Sequence, residues 1–355
     1  MKLQATRAHR FALVAFLLSA WCAPLGHTAD TTGTGAVAST SVKITFVRPS
    51  SADASVTGFD TPHRIYLRSD LASPRKSSAP APRNELLLWL PGTSPASADA
   101  PAASETANTR EGAEAFCRLA AQLGYHVISL RYPNSLSATA ARTDADDEFE
   151  RFRLAIIRGG ASKYITVTRA DSIEERLIKL LQHLAAERPQ ENWSQFLGDA
   201  AAIRWEKIAV AGQSQGGGHA ALIALHHLVA RVVCTGAPKD FNLRTNSPAA
   251  WLTRESATPK ARFFTLNHQQ DRQGANAQQQ LQNLRALKLD AFGAPVNVDT
   301  TQPPYRRSRI LETNFPGTRQ ESKEAHTSVI SWRNAATFER VWRYMLTESV
   351  ERTAP

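Results

Sequence analysis

AVAGQSQGGGHAAL, residues 209–222, decides the fold. A run of small apolar residues enters one serine, Ser214, and leaves through Gly216, Gly217 and Gly218 into an alanine- and leucine-rich segment. With the residues before it, KIAVAG (207–212) reads as a short strand buried on both faces, and 217–230 reads as a helix. A serine in a tight turn between the two takes up a strained backbone. Its neighbours two before and two after must then lack side chains, or their Cβ atoms collide with the turn and adjacent strands. Gly212 and Gly216 meet that demand. The helix N-terminus brings backbone N–H groups and positive dipole next to the serine oxygen. G-x-S-x-G in a strand–turn–helix setting is a nucleophile elbow, and Gly217 and Gly218 let the first helical turn pack close to the sheet.

Outward from the elbow, short apolar strands alternate with helices. ELLLWL (85–90), YHVISL (125–130), RVVCTGAP (231–238), ARFFTLNH (261–268) and SRILETNF (308–315) read as further strands, with SVKITFVRP and HRIYL (63–67) before them. EGAEAFCRLAAQLG (111–124) is amphipathic, with Gly124 as its stop; DEFERFRLAIIRGG, DSIEERLIKLLQHLAAERP and NAATFERVWRYMLTES are the other helix patterns, the third of these four opened by Asp171 or Ser172. This alternation predicts an α/β fold with a mostly parallel central sheet covered on both faces, as one domain over 42–350. Residues 134–206 are expected to form a cap-like helical insertion over the sheet, and 94–109 a low-complexity loop that either borders the entrance or is disordered.

The elbow and this alternation resemble the α/β-hydrolase superfamily over most of residues 42–347. The extended G-Q-S-Q-G-G-G-H form and RADSIEERL (169–177) are similar to a little-characterised bacterial branch of it. The resemblance implies a catalytic order of serine, then acid, then histidine. Asp271 follows the ARFFTLNH strand in a short loop, and His326 follows the last strand in a longer loop before the final helix. The trio has a chemical rationale: a serine hydroxyl needs a base, histidine titrates near neutrality, and a buried carboxylate fixes its tautomer. The resemblance also implies an oxyanion hole from the Gln215 N–H and a donor in the loop after ELLLWL, where Thr93 is the candidate beside Pro91 and Gly92. Asp240 is the rival acid, expected to be a surface carboxylate if unused. His268 is expected at the rim of the site or lining it, and His219 in a supporting role. No cofactor is implied.

Composition bounds the rest. The chain has 355 residues, 42% hydrophobic, with a formal net charge of +10 and mean hydropathy −0.33. Its Lys and Arg are scattered, with no nucleic-acid motif, so no nucleic-acid partner is expected. Lys2, Arg7 and Arg10 precede an apolar run, Phe11 to Trp21, too short to reside in a bilayer; residues 1–29 read as an export signal and 30–41 as a flexible lead-in. Small residues at Ala20 and Cys22, or at Ala36 and Ala38, offer cleavage sites. Trp21 is too large for lipid attachment at Cys22. The mature protein is expected in the periplasm or outside the cell, with no stable membrane span. Cys117 and Cys234 fall in helix and strand patterns and read as small buried hydrophobes. His219, His226 and His227 lack metal-ligand spacing, and Asp144, Asp146, Asp147 and Glu148 lack that of a calcium loop, so no metal is expected. Trp193, Trp205, Trp251 and Trp332 read as core more than cleft. The sum is an exported serine hydrolase, a carboxylic ester hydrolase acting on a small-molecule ester through an acyl-serine. The alternatives are a peptidase or amidase on the same scaffold, and a non-catalytic binding protein that kept the fold. The sequence leaves the oligomeric state open.

Overall fold

Eight strands in the order β1-β2-β4-β3-β5-β6-β7-β8 form the central sheet: β1 (Val42–Val47), β2 (His63–Arg68), β3 (Leu86–Leu90), β4 (His126–Ser129), β5 (Ile208–Gln213), β6 (Arg231–Thr235), β7 (Phe263–His268) and β8 (Ile310–Thr313). A two-residue strand, Val296–Asn297, adds to the outer edge of β8. β2 runs antiparallel to β1 and β4; every other neighbouring pair is parallel. This computed structural model describes residues 41–72, 81–94, 112–145, 147–316 and 322–351. The export signal, nearly all of the lead-in, Cys22, Asp146 and the loop beyond Ser94 lie outside the described residues.

Alternation along β3 shows why the sheet carries two apolar faces. Leu86, Leu88 and Leu90 join the cluster under α2 (Glu148–Arg158), α3 (Ile173–Glu187), α4 (Gln215–His226) and α5 (Ala277–Ala286). Leu87 and Trp89 join the opposite cluster under α1 (Glu114–Gln122) and α7 (Ala335–Thr347). Each fully buried leucine contributes about 1.5–3 kcal/mol, so this strand anchors both apolar faces at once. The crossovers have local causes too. Ser172 caps α3 by accepting from the Glu175 N–H, and Gly124 ends α1 with φ 95°.

The helix α5 falls in a stretch to which the sequence assigned no element, and the short helix α6 (Ser322–Ser328), which carries His326, replaces part of an expected loop. α5 is glutamine-rich and weakly apolar; its N-terminus is set by a capping box between Asn276 and Gln279. The elbow helix starts at Gln215, two residues earlier than its pattern suggests, because the turn is shorter than the glycines imply. Within 134–206, α2 and α3 pack into the core over the sheet, whereas residues 136–138 lie against the elbow: Gln215 Nε2 donates to the Leu136 carbonyl, and its Oε1 accepts from the Ala138 N–H. Trp193 and Trp251 are core residues with their indole N–H groups bonded to Glu191 and Asp240. Cys117 and Cys234 are both buried and form no disulfide, and burial pushes Cys234 up to about 12.

Candidate active site

Ser214 sits at φ 54°, ψ −118°, a conformation non-glycine residues adopt only under constraint. The constraint is visible around it. The Ser214 N–H donates to the Thr235 carbonyl on β6, and the Ser214 carbonyl accepts from Gly218 one turn into α4. A Cβ on Gly216 would stand 1.9 Å from the Leu90 carbonyl oxygen, and one on Gly212 would stand 2.4 Å from the carbonyl carbon of Gly216. Backbone meets backbone at both positions, so both expected elbow glycines have a steric reason. Gly218 presents its bare face to the Arg153 guanidinium.

That guanidinium ties the elbow down from above. Arg153 on α2 donates from Nε and Nη2 to the two oxygens of Asp240, at 2.7 and 2.5 Å, and from Nη1 to the Gln215 carbonyl at 2.9 Å. Trp251 Nε1 adds a third donor to Asp240. Asp240 is therefore a buried, fully engaged carboxylate, 1% exposed, and not the surface carboxylate expected of an unused acid. The apolar strand before it predicts a loop but gives no sign of the arginine 87 positions upstream.

Asp271 and His326 meet at the C-terminal edge of the sheet. His326 Nδ1 lies 2.7 Å from Asp271 Oδ2, both residues are at most 2% exposed, and the imidazole ring packs on Gly236 after β6. Asp271 Oδ1 accepts from the Gln273 N–H, while Oδ2 also accepts from Lys239 Nζ at 2.8 Å and Gln280 Nε2 at 3.2 Å. Burial alone would raise this carboxyl; the hydrogen bond and charge of His326, with Lys239, outweigh it and hold the group at about 2. Burial lowers His326 below the ordinary imidazole value, and the Lys239 charge works in the same direction against the pull of Asp271.

The outer nitrogen of His326 has a partner that the sequence did not suggest. Gln213 Nε2 lies 2.9 Å from His326 Nε2, and an amide nitrogen can only donate. His326 Nε2 is thus a lone-pair acceptor with its proton on Nδ1, the tautomer of a general base. Among the hydrogen bonds of the described residues, that lone pair is met by Gln213 and not by Ser214. The Gln213 side chain lies in the space left by Gly92, whose own Cβ would meet Gln213 Oε1 at 2.3 Å and Ser214 Cβ at 3.2 Å.

Gln215 opens α4, so its N–H is one of the first-turn donors without an intrahelical acceptor. Thr93 is half-buried and follows Gly92, which touches the elbow; the Gly92 carbonyl accepts from Asn134. A cavity of about 290 Å³ opens beside Gly92 and Gln213, walled by Trp89, Ile330, Arg131 and Arg333. His268 does not line this cavity. It is buried, with Nε2 against the Phe315 carbonyl and Nδ1 accepting from the Gln270 N–H. His219 is buried against Tyr132 and Arg153, and burial first, then the Arg153 charge, drives it well below the usual imidazole value. Asp144 pairs with Lys163 and Tyr164, and Glu148 accepts from the Lys163 N–H, so both acids are spent on local structure. Among the described residues no helix is long and apolar enough to cross a membrane. Lys239, Gln213, Gln280 and Arg153 escaped the sequence reading; only the adjacency of Lys239 to Asp240 in the loop after β6 hinted at one of them.

No protein-family model and no curated protein matches the sequence. Among solved structures, a protein from Klebsiella pneumoniae provisionally described as a dienelactone hydrolase covers 86% of this chain and 98% of its own, at 11% identity and a TM-score of 0.36. A likeness that faint says nothing about chemistry. It is the strand order 1-2-4-3-5-6-7-8, the single reversed strand β2 and the strained turn between β5 and α4 that give this chain the α/β-hydrolase fold.

Proposed function

We propose that the protein is a serine hydrolase of the α/β-hydrolase superfamily, cleaving small carboxylic esters through an acyl-serine. The observation that carries this reading is the His326–Asp271 hydrogen bond of 2.7 Å at the strand edge that also bears Ser214 in its strained turn. In the reaction the Gln213 amide leaves His326 Nε2, which then takes the proton of Ser214 as Oγ attacks the ester carbonyl. The oxyanion forms toward the N–H groups of Gln215 and Thr93. His326 returns the proton to the leaving alcohol, then deprotonates a water that releases the acid and restores the serine. Asp271 holds the Nδ1–H tautomer throughout. The cationic, apolar signal-like N-terminus supports an exported enzyme, acting in the periplasm or outside the cell.

A panel of aryl esters of increasing acyl length, with matched amides, tests the reading on the wild-type protein and Ser214→Ala. Ester turnover that falls by several orders of magnitude in a folded Ser214→Ala supports it. Ester turnover unaffected by the substitution contradicts it, and faster cleavage of the amides would make the enzyme an amidase.

A further inference from the structure

One oxygen of the candidate triad's acid receives two nitrogen donors, a neutral imidazole and an ammonium. Asp271 Oδ2 receives His326 Nδ1 at 2.7 Å and Lys239 Nζ at 2.8 Å, and the lysine is 6% exposed. Lys239 comes from the loop after β6 and is further held by the carbonyls of Gln273 and Ala275. Its stem passes Gly274, where a Cβ would come within 3.5 Å of Lys239 Cδ at φ 74°. A fully surrounded ammonium directed at the oxygen that orients the base is a different arrangement from an ion pair at the surface: in low dielectric its charge reaches the imidazole too.

We propose that Lys239 is a positioning residue of this site, acting through Asp271 on the charge state of His326; the inference rests on the reading of Ser214, His326 and Asp271 as a triad. A carboxylate shared between an imidazole and an ammonium stabilises the imidazolium less than one reserved for the imidazole. His326 therefore stays neutral, and able to accept the serine proton, to lower pH than a two-partner arrangement would allow. The surrounding charges leave Lys239 as the dominant one. From the acid loop, Arg272 is exposed; from β7, His268 is engaged with Phe315 and Gln270; from α6, Glu324 is half-buried; from β5 and α4, Gln213 and Gln215 are neutral. Burial favours the uncharged form of Lys239 and Asp271 opposes this, which keeps the pair ionic.

Two readouts on the full chain test the proposal. One is the NMR titration of the His326 ring, assigned by difference with His326→Gln. The other is the rate of fluorophosphonate labelling against pH. Lys239→Gln and Lys239→Met should both move the His326 midpoint upward, by about one pH unit for loss of a nearby unit charge, while Lys239→Arg leaves it near the wild-type value. The acid limb of labelling should move by the same amount. Coincident midpoints in the wild type and a folded neutral variant would overturn the proposal. So would failure of both neutral variants to fold, because Lys239 would then serve the fold and not the base. Absence of labelling in the wild type would instead sink the serine-hydrolase reading, and the NMR titration would still decide the role of Lys239.

Discussion

At the scale of single residues, the elbow is a balance between strain and clearance. Ser214 holds a backbone conformation that costs on the order of 1–3 kcal/mol, and the turn persists because β5, β6 and α4 over-determine it. Clearance is the more brittle half. Gly216→Ala drives a methyl into the Leu90 carbonyl, so it should lower stability by about 1–3 kcal/mol and slow serine labelling in whatever remains folded. Gly112→Ala, where a Cβ meets nothing within 4 Å, should change stability by no more than about 0.5 kcal/mol. Chemical denaturation of the two variants checks the contrast; equal effects would mean that the elbow is looser than its geometry. The glycines and the serine were legible in the sequence because strained turns leave few residue choices. Gln213 was not, since an amide between Gly212 and Ser214 carries no pattern that predicts a contact with a histidine 113 residues later.

At the scale of elements, loops after neighbouring strands divide two carboxylates between structure and chemistry. The loop after β6 gives Asp240 to Arg153 on α2, and the loop after β7 gives Asp271 to His326 on α6. Asp240→Asn leaves the Arg153 charge without its counter-ion and should destabilise the protein by about 3 kcal/mol or more, while labelling per folded molecule falls less than about tenfold. Asp271→Asn unpairs Lys239 but also frees the wrong imidazole tautomer, so labelling should fall on the order of 10⁴-fold per folded molecule. Measuring labelling rate and unfolding free energy on both variants separates the two roles, and reversed results would exchange the two acids. The alternation of apolar runs with helix periods made the eight strands and most helices readable. α5 and α6 were not, because one is rich in glutamine and the other too short to show a period; the tertiary partners Gln280 and His326 justify them.

At the scale of the whole molecule, several histidines are held neutral by burial, and this ties stability to pH. His63, His219 and His326 all lie below the usual imidazole value, burial being the first cause in each. A group depressed in the folded state binds its proton more readily when unfolded, so its contribution is complete above the unfolded value near 6.5 and is lost as pH falls. Each such group removes about 1.4 kcal/mol per pH unit below that point, until its folded value is reached. Asp271, held at about 2, adds a second loss between roughly pH 4 and 2. Thermal unfolding should therefore show Tm falling from pH 7 to 5 and again below 4; a flat Tm from pH 7 to 5 would mean that those histidines are solvated. The same architecture fixes the measurement that bears most directly on the account. Fluorophosphonate treatment of the wild-type protein, followed by peptide mapping, should place one covalent adduct on Ser214, and His326→Gln should slow its formation by orders of magnitude. An adduct on another residue, or none on a folded protein at any pH between 6 and 9, would contradict the claim that Ser214 is a nucleophile activated by His326.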